Sequence, residues 1–329
     1  MYWQGEKVLV TGAGGFIGSH LTEEVVRLGA NTRVFLRYNS RDDKGLIGKL
    51  PKSIQDSLEV FVGDIKDPEA VRKSVKGCDM VFHLAALIAI PYSYVNPFDF
   101  VQTNVLGTAN ILNACLDNNI SKIVHTSTSE VYGTARYVPI DEEHPIQPQS
   151  PYSASKVSAD ALAMSYFCSF GLPVSIIRPF NTFGPRQSLR AIIPTIVLQA
   201  LKKDEIKVGS IKPTRDFNFI DDTVDSFILM AENEKSIGEV INIGSGKEIT
   251  IEDLVYKIAK IMNKEVKIIT EEARVRPERS EVFRLCANNK KAKEILDWSP
   301  KISLEEGLEK VIAWMILNAF KNKVDKYVL

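Results

Sequence analysis

Cysteine is scarce in this chain, membrane-length apolar runs are missing, and neither sign of charge prevails. The 329 residues include four cysteines, Cys78, Cys115, Cys168 and Cys286. No two are close enough in sequence to form a short metal-ligating pair, so no metal site is expected. Cys78, Cys115 and Cys168 sit in or beside apolar stretches, which predicts buried free thiols. No apolar run reaches the roughly 20 residues that span a bilayer. Residues 1–7 carry no apolar core of the signal-peptide kind, so the cytoplasm is the expected compartment and no membrane partner is expected. Basic and acidic residues number 41 each, giving a formal net charge of zero. A neutral chain lacks the global pull of a nucleic-acid binder. Internal repeats and low-complexity tracts are also missing.

What remains is an ordinary globular composition, 45% hydrophobic and 25% charged, with a clear rhythm in its first half. Strand-like runs at 7–11, 32–37, 58–62, 80–83, 122–126 and 174–178 alternate with helical patterns at 16–28, 68–75, 98–118 and 151–170. That alternation predicts an α/β fold, a doubly wound, Rossmann-like parallel sheet covered on both faces. After Pro179 prolines and glycines cluster. Helices return at 222–232, 251–262, 289–296 and 304–320, with short strands at 240–243 and 266–269. Residues 1–180 read as a dinucleotide-binding domain to which part of 217–245 returns, and 181–329 mainly as a smaller C-terminal α/β substrate lobe. The polar end, 322–329, reads as mobile.

The strongest local signal is VLVTGAGGFIGSHL. An apolar strand ends at Thr11, Gly12, Gly15 and Gly18 follow at G-x-x-G-x-x-G spacing, and a helix opens at Phe16 and Ile17. The first glycine permits a tight turn, the second lets backbone approach a pyrophosphate, and the third lets helix and strand pack closely. The helix N-terminus offers free N–H groups to phosphates. This predicts a tightly held NAD or NADP. At the end of the second strand, Arg37 stands where an acidic residue would bind a bare ribose diol. A guanidinium suits a 2′-phosphate, which tilts the expectation towards NADP. Asp64, after the third strand, is placed for the adenine amino group.

The second signal is SPYSASKVSAD. Tyr152 and Lys156 are four apart and share one helix face. A neighbouring ammonium is expected to lower the phenol's pKa and let Tyr152 take a proton from a sugar hydroxyl. Upstream, the strand at 122–126 runs into HTSTSEVYG. Its carboxyl end should bring Thr128, Ser129 and Glu130 into the cleft near Tyr152.

With TGAGGFIG, HLAA at 83–86, TNVLGT at 103–108, Y-x-x-x-K and RPFNTFGPR at 178–186, the chain resembles the extended short-chain dehydrogenase/reductase family over nearly its whole length. The resemblance implies that Ile65, Leu84, Ala85 and Ala86, with Tyr152 and Lys156, also border the cofactor. It implies a nucleotide-sugar substrate whose diphosphate meets Asn181, Arg215 and Arg276, with Arg186 a further candidate. Thr128-Ser129-Glu130 looks most like the GDP-mannose 4,6-dehydratase pattern. With LIAIPYSY before it, the segment also resembles dehydratases of the legionaminic-acid pathway, which act on nucleotide-linked N-acetylglucosamine. Family 4-epimerases usually lack the carboxylate; dTDP-glucose dehydratases carry aspartate where Ser129 stands. The expected reaction is therefore 4,6-dehydration of a UDP- or GDP-linked hexose. A 4-epimerase and a glucuronate-type decarboxylase remain rivals on the same scaffold, and a non-catalytic dinucleotide sensor is a remote one.

The helical patterns at 98–118 and 151–170 carry more apolar positions than one buried face needs, among them Val101, Val105, Ala109, Leu112, Leu162 and Tyr166. In the family such helices pair across a two-fold axis, so a homodimer is expected.

Overall fold

The computed structural model describes residues 3–318. The chain runs β1 (Lys7–Thr11), α1 (Phe16–Arg27), β2 (Asn31–Arg37), α2 (Lys52–Asp56), β3 (Glu59–Gly63), α3 (Pro68–Val75) and β4 (Met80–His83). After β4 come α4 (Ile90–Val95), α5 (Pro97–Phe100), a π turn over Val101–Leu106 and α6 (Gly107–Asp117). Then β5 (Lys122–Thr126), a 3-10 turn at Ser129–Tyr132, α7 (Pro151–Phe170) and β6 (Val174–Pro179) complete the first half. The second half contains β7 (Asn181–Phe183), α8 (Ile192–Ala200), β8 (Glu205–Val208), β9 (Thr214–Phe219), α9 (Ile220–Glu232) and β10 (Val240–Ile243). It ends with β11 (Glu248–Thr250), α10 (Ile251–Ile261), β12 (Lys267–Thr270), α11 (Lys290–Leu296) and α12 (Leu304–Leu317). The sequence pattern carried the last helix to residue 320; residues 319 and 320, and the polar end at 322–329, lie outside the described residues.

The main sheet has seven strands in the order β10-β6-β5-β4-β1-β2-β3, and every pair is parallel. Side chains alternate between two buried faces. Val8, Val10, Met80, Phe82, Val124 and Ile177 join one core, which continues into the second half through Phe183, Phe219, Leu254 and Trp298. Leu9, Val81, Ile123 and Ile176 join the other, against Ile111, Leu112, Cys115 and Ala163 of α6 and α7. Burial on both faces is what a parallel sheet needs. The strand order reverses at β1, which pairs β2 on one side and β4 on the other. The crevice at the carboxyl ends of these strands is where open α/β sheets take ligands.

Three expectations change. The helical pattern at 98–118 is a composite run. Asn96 caps α5 by accepting from Asp99 N, and the π turn follows. Inside that turn the Asn104 amide bonds Leu87 N at 2.7 Å, Leu87 O at 2.9 Å and Ser155 Oγ at 2.9 Å, which ties the turn to the loop after β4 and to α7. Leu112 is fully buried in the core, because α6 turns that side to the sheet, so it cannot serve a subunit interface. Cys168 is exposed, because the last turn of α7 projects past the core before Leu172 re-enters it.

The second half holds the strands expected at 240–243 and 266–269 and, beyond them, four that its polar sequence hides: β7, β8, β9 and β11. β11, β9 and β7 form a three-stranded sheet, and β12 pairs with β8. In β9, Arg215, Asp216 and Asn218 are buried beside Phe217 and Phe219. Asp216 is satisfied by remote groups, accepting from Ser245 N, Gly246 N and Ala287 N.

Candidate functional site

The glycine loop is a cradle that admits only glycine at positions 12 and 18. Gly12 has φ +71°, and a Cβ there would lie 2.8 Å from Ala85 N and 2.8 Å from Leu84 C. A Cβ on Gly18 would lie 2.2 Å from Gly12 O, so α1 packs directly on the loop. Gly15 is the N-cap of α1 and brings no side-chain cap, and no acidic side chain occupies the first turn, which opens with Phe16 and Ile17. The N-terminal amides therefore remain for a ligand's phosphates. Thr11 Oγ1 accepts from Leu84 N and Ala85 N at 3.1 Å each and meets His83 Nδ1 at 2.9 Å. These bonds hold the segment Leu84–Ala85–Ala86 against the loop. These features fit a dinucleotide.

The residues expected to meet the adenosine stand at the ends of β2 and β3. Asp64 follows β3 and accepts from Lys66 N at 2.9 Å. Ile65 is buried, and a Cβ on Gly107 would meet its Cγ2 at 2.9 Å. Arg37 ends β2 and is exposed. A cavity of ≈ 470 Å³ opens beside it, lined by Asn39, Ser40, Asp42, Asp43 and Lys44 among others. The Asn39 carboxamide shapes this loop, accepting from Arg41 N at 3.1 Å and Asp43 N at 3.0 Å.

α7 places Tyr152 and Lys156. Ser150 and Ser153 form a capping box, Pro151 occupies the first turn, and Gly171 ends the helix in the left-handed region at φ +68°. Tyr152 is buried with Ile90 and Phe100, whose ring meets it edge-on at 6.3 Å. Lys156 Nζ donates to Thr126 O at 2.5 Å. Burial lowers the Lys156 ammonium to about 8, while the Asp160 carboxylate holds it up.

The phenol departs from expectation. Burial raises the Tyr152 pKa, the Thr128 hydroxyl bond draws it back, and the Glu130 and Asp160 charges raise it further. The Lys156 ammonium is spent on Thr126 O, and desolvation prevails over the predicted depression.

Thr128, Ser129 and Glu130 leave β5 in the 3-10 turn. Thr128 Oγ1 caps it by accepting from Glu130 N at 3.3 Å. Ser129 and Glu130 are both buried. Glu130 Oε2 faces Arg276 Nη1 at 3.6 Å. Arg215 Nη2 donates to Glu281 Oε1 at 3.2 Å, and the same carboxylate lies 4.0 Å from Arg276 Nη1. Arg276 is thus brought to Glu130, and Arg215 joins the cluster through Glu281. Asn181 begins β7, and its Oδ1 is buried without a hydrogen bond, an atom fit for a ligand contact.

Arg186 is placed elsewhere. Its Nη2 donates to Glu23 Oε2 at 2.9 Å and its Nε to His20 Nε2 at 3.0 Å. Both partners belong to α1, so Arg186 braces α1 against the second half and is not gathered with Arg215 and Arg276.

Sequence reasoning missed several neighbours. Glu281 pairs with both arginines. Tyr94 on α4 bonds Ser280 Oγ at 2.6 Å, and Ser280 donates to Gln149 O at 2.6 Å, a bridge from the dinucleotide half to the second half. Asp160 gathers Ser127 Oγ at 2.6 Å, Arg178 at 3.1 Å and His125 Nε2 at 3.3 Å. Only Asp160 carried a signal, its place four residues past Lys156 on one helix face.

Residues 9–311 match the GDP-mannose 4,6 dehydratase family. The chain is 34% identical over 315 residues to the dTDP-glucose 4,6-dehydratase of Streptomyces antibioticus, covering 93% of this chain and 91% of that protein. It is 32% identical over 326 residues to the UDP-N-acetyl-alpha-D-glucosaminuronate decarboxylase of Bacillus cytotoxicus, covering 94% and 97%. Among solved structures, a variant of the UDP-glucuronic acid 4-epimerase of Bacillus cereus, in complex with a fluorinated substrate analogue and NAD, superposes with TM-score 0.87 at 30% identity, covering 95% of this chain and 99% of that one.

Proposed function

The chain belongs to the GDP-mannose 4,6-dehydratase family, among the nucleotide-sugar dehydratases, epimerases and decarboxylases of the extended short-chain dehydrogenase/reductase scaffold, and on that premise we propose that it is a nucleotide-sugar 4,6-dehydratase. The observation that carries this reading is the buried carboxylate of Glu130, fixed by the Thr128 cap at the end of β5 and close enough to Tyr152 to raise its pKa. Proton removal from C4 oxygen needs only the tyrosine and lysine. A second, buried base beside them suits elimination.

Gly12, Gly15 and Gly18 would hold a nicotinamide dinucleotide, which would supply a hydride acceptor for C4 and the hydride returned to C6. Tyr152 takes the proton of the C4 hydroxyl, with Lys156 beneath it and Thr128 holding the C4 oxygen. The new ketone acidifies C5–H. Glu130 takes that proton, and the electron pair left at C5 expels the C6 hydroxyl. Ser129, buried beside Glu130, relays the proton that lets the hydroxyl leave as water. Addition of the hydride at C6 and of a solvent proton at C5 then gives the 4-keto-6-deoxy sugar, and no net oxidant is consumed.

The substrate is proposed to be a UDP- or GDP-linked hexose, N-acetylglucosamine foremost. Arg215, Arg276 and Asn181 would hold its diphosphate by charge-assisted bonds. Arg186 is left out because Glu23 already neutralises it. The test is mass spectrometry of products from a panel of UDP-, GDP-, dTDP- and CDP-sugars. Loss of water supports dehydration. Loss of carbon dioxide from a uronic acid, or inversion at C4 with unchanged mass, replaces it with a rival.

A further inference from the structure

Two guanidinium groups and two carboxylates meet beside the proposed base: Arg215, Arg276, Glu130 and Glu281. Their charges cancel, so the cluster is neutral before a diphosphate arrives. A diphosphate brings at least two further negative charges, and the arginines can serve it only by loosening a carboxylate. The two arginines are not equally held. Arg215 is bonded to Glu281 at 3.2 Å with both side chains 8% exposed. Glu281 is fixed in turn, its carbonyl oxygen accepting from Gln149 Nε2 at 3.2 Å. Arg276 is 24% exposed, and its Nη1 lies 3.6 Å from Glu130 and 4.0 Å from Glu281. That nitrogen has no partner at hydrogen-bond distance. It stands between two carboxylates and is seated on neither.

We infer that Arg276 is shared between Glu130 and the substrate's diphosphate, so that engagement of the diphosphate withdraws the arginine from the base and frees Glu130 for the C5 proton. Arg276 is then a positioning residue for elimination as well as a phosphate contact. The inference rests on the proposed nucleotide-sugar site. It explains how recognition at the nucleotide end reaches a reacting carbon at the other end of the sugar. A carboxylate facing a guanidinium is a weaker acceptor for a carbon-bound proton than one released from it. C4 oxidation does not pass through Glu130 and is not gated.

The test needs no turnover. Affinities of UDP, GDP and dTDP are measured by calorimetry on the chain loaded with NAD, in the unaltered protein, Glu130→Gln, Arg276→Gln and the double variant. If Glu130 competes for Arg276, Glu130→Gln binds the preferred nucleoside diphosphate several-fold more tightly, the size of effect a partly exposed, loosely held ion pair gives. In the Arg276→Gln background that gain shrinks to twofold or less. Equal or weaker binding by Glu130→Gln overturns the inference. So does a gain of the same size in both backgrounds, which is long-range repulsion without competition. Arg276→Lys, which keeps the charge and loses the fork, should show an intermediate gain and serves if the glutamine variant does not fold. Binding without the coupling defeats this inference alone; no binding of any nucleoside diphosphate defeats the nucleotide-sugar reading with it.

Discussion

Lys156 donates to the carbonyl oxygen of Thr126 across 2.5 Å, so the ammonium one helical turn past Tyr152 is anchored by the last residue of β5. The bond couples the helix that carries Tyr152 and Lys156 to the strand that delivers Thr128, Ser129 and Glu130. It also buries a charge, and that has a measurable signature in pH.

Burial lowers the Lys156 pKa to about 8 from 10.5, against the pull of Asp160. Between those values the unfolded chain binds more protons than the folded one, so this group's contribution to stability rises with pH across that window. Below it both states are charged and the full desolvation cost is present. Lys156→Met removes that cost. The variant's thermal midpoint, relative to the unaltered protein, should be highest below pH 8, by a few degrees, and the advantage should shrink towards pH 10. Lys122, also lowered by burial to about 8, titrates alike in both proteins and cancels in the difference. An offset that does not change with pH would show that Lys156 does not titrate there.

Much of the dinucleotide half was legible because its signals are local. G-x-x-G-x-x-G, Y-x-x-x-K and the Thr128–Glu130 run each lie on one element or at one strand end, where spacing dictates geometry. Tyr94, Glu281, Arg178 and His125 were not legible, since their partners lie across the topology: Tyr94 meets Ser280, and Arg178 meets Asp160. β9 hid for a related reason. Its Asp216 reads as a loop residue until Ser245, remote in sequence, satisfies it, and Asn218 is held by Thr223 of α9. The raised phenol pKa of Tyr152 follows from Ile90 and Phe100, which no spacing rule sets beside it.

Cofactor preference should depend on Arg37. It ends β2 exposed, at a cavity that also holds Lys44, although Asp42 and Asp43 line the same cavity. If the guanidinium meets a 2′-phosphate, NADP binds more tightly than NAD. Arg37→Ala should then cut NADP affinity by roughly tenfold or more and leave NAD nearly unchanged. Fluorescence titration with both dinucleotides reads the difference. Preference for NAD in the unaltered protein would remove Arg37 from the cofactor site and leave the fold untouched.

The outer faces of the helical runs predict a homodimer. Phe98, Val101 and Leu106 are exposed at 66%, 45% and 54%, with Val105, Ala109, Leu162 and Tyr166 partly exposed nearby in the same two helical runs. Apolar surface of this extent marks an association face. Light scattering should give twice the chain mass, and Val101→Glu with Leu106→Glu should weaken association by about tenfold or more, since each places an unpaired charge in the interface. A monomer at working concentration rejects the prediction.

Glu130 separates dehydration from oxidation. Hydride removal at C4 draws on Tyr152 and Lys156 and needs no carboxylate near C5. Elimination needs a base there, because the C5 proton leaves only after the ketone forms. Glu130→Gln keeps the size and shape of the side chain and the backbone bond from Glu130 N to Thr128 Oγ1, so folding and dinucleotide binding should survive. Water loss should fall by about 100- to 10,000-fold, the usual contribution of a general base. In deuterated water the unaltered enzyme should place one solvent deuterium at C5 of its product, and the variant should place none. Tyr152→Phe should stop the sequence earlier and leave no reduced nicotinamide absorbance. Because these two variants interrupt different bonds, their failures are informative separately. Near-normal water loss by Glu130→Gln would mean that another group takes the C5 proton and would remove the main support for dehydration. Inversion at C4 by the unaltered enzyme, with the C6 oxygen retained, would assign the same tyrosine and lysine to epimerisation and leave Glu130 as a counter-charge to Arg276.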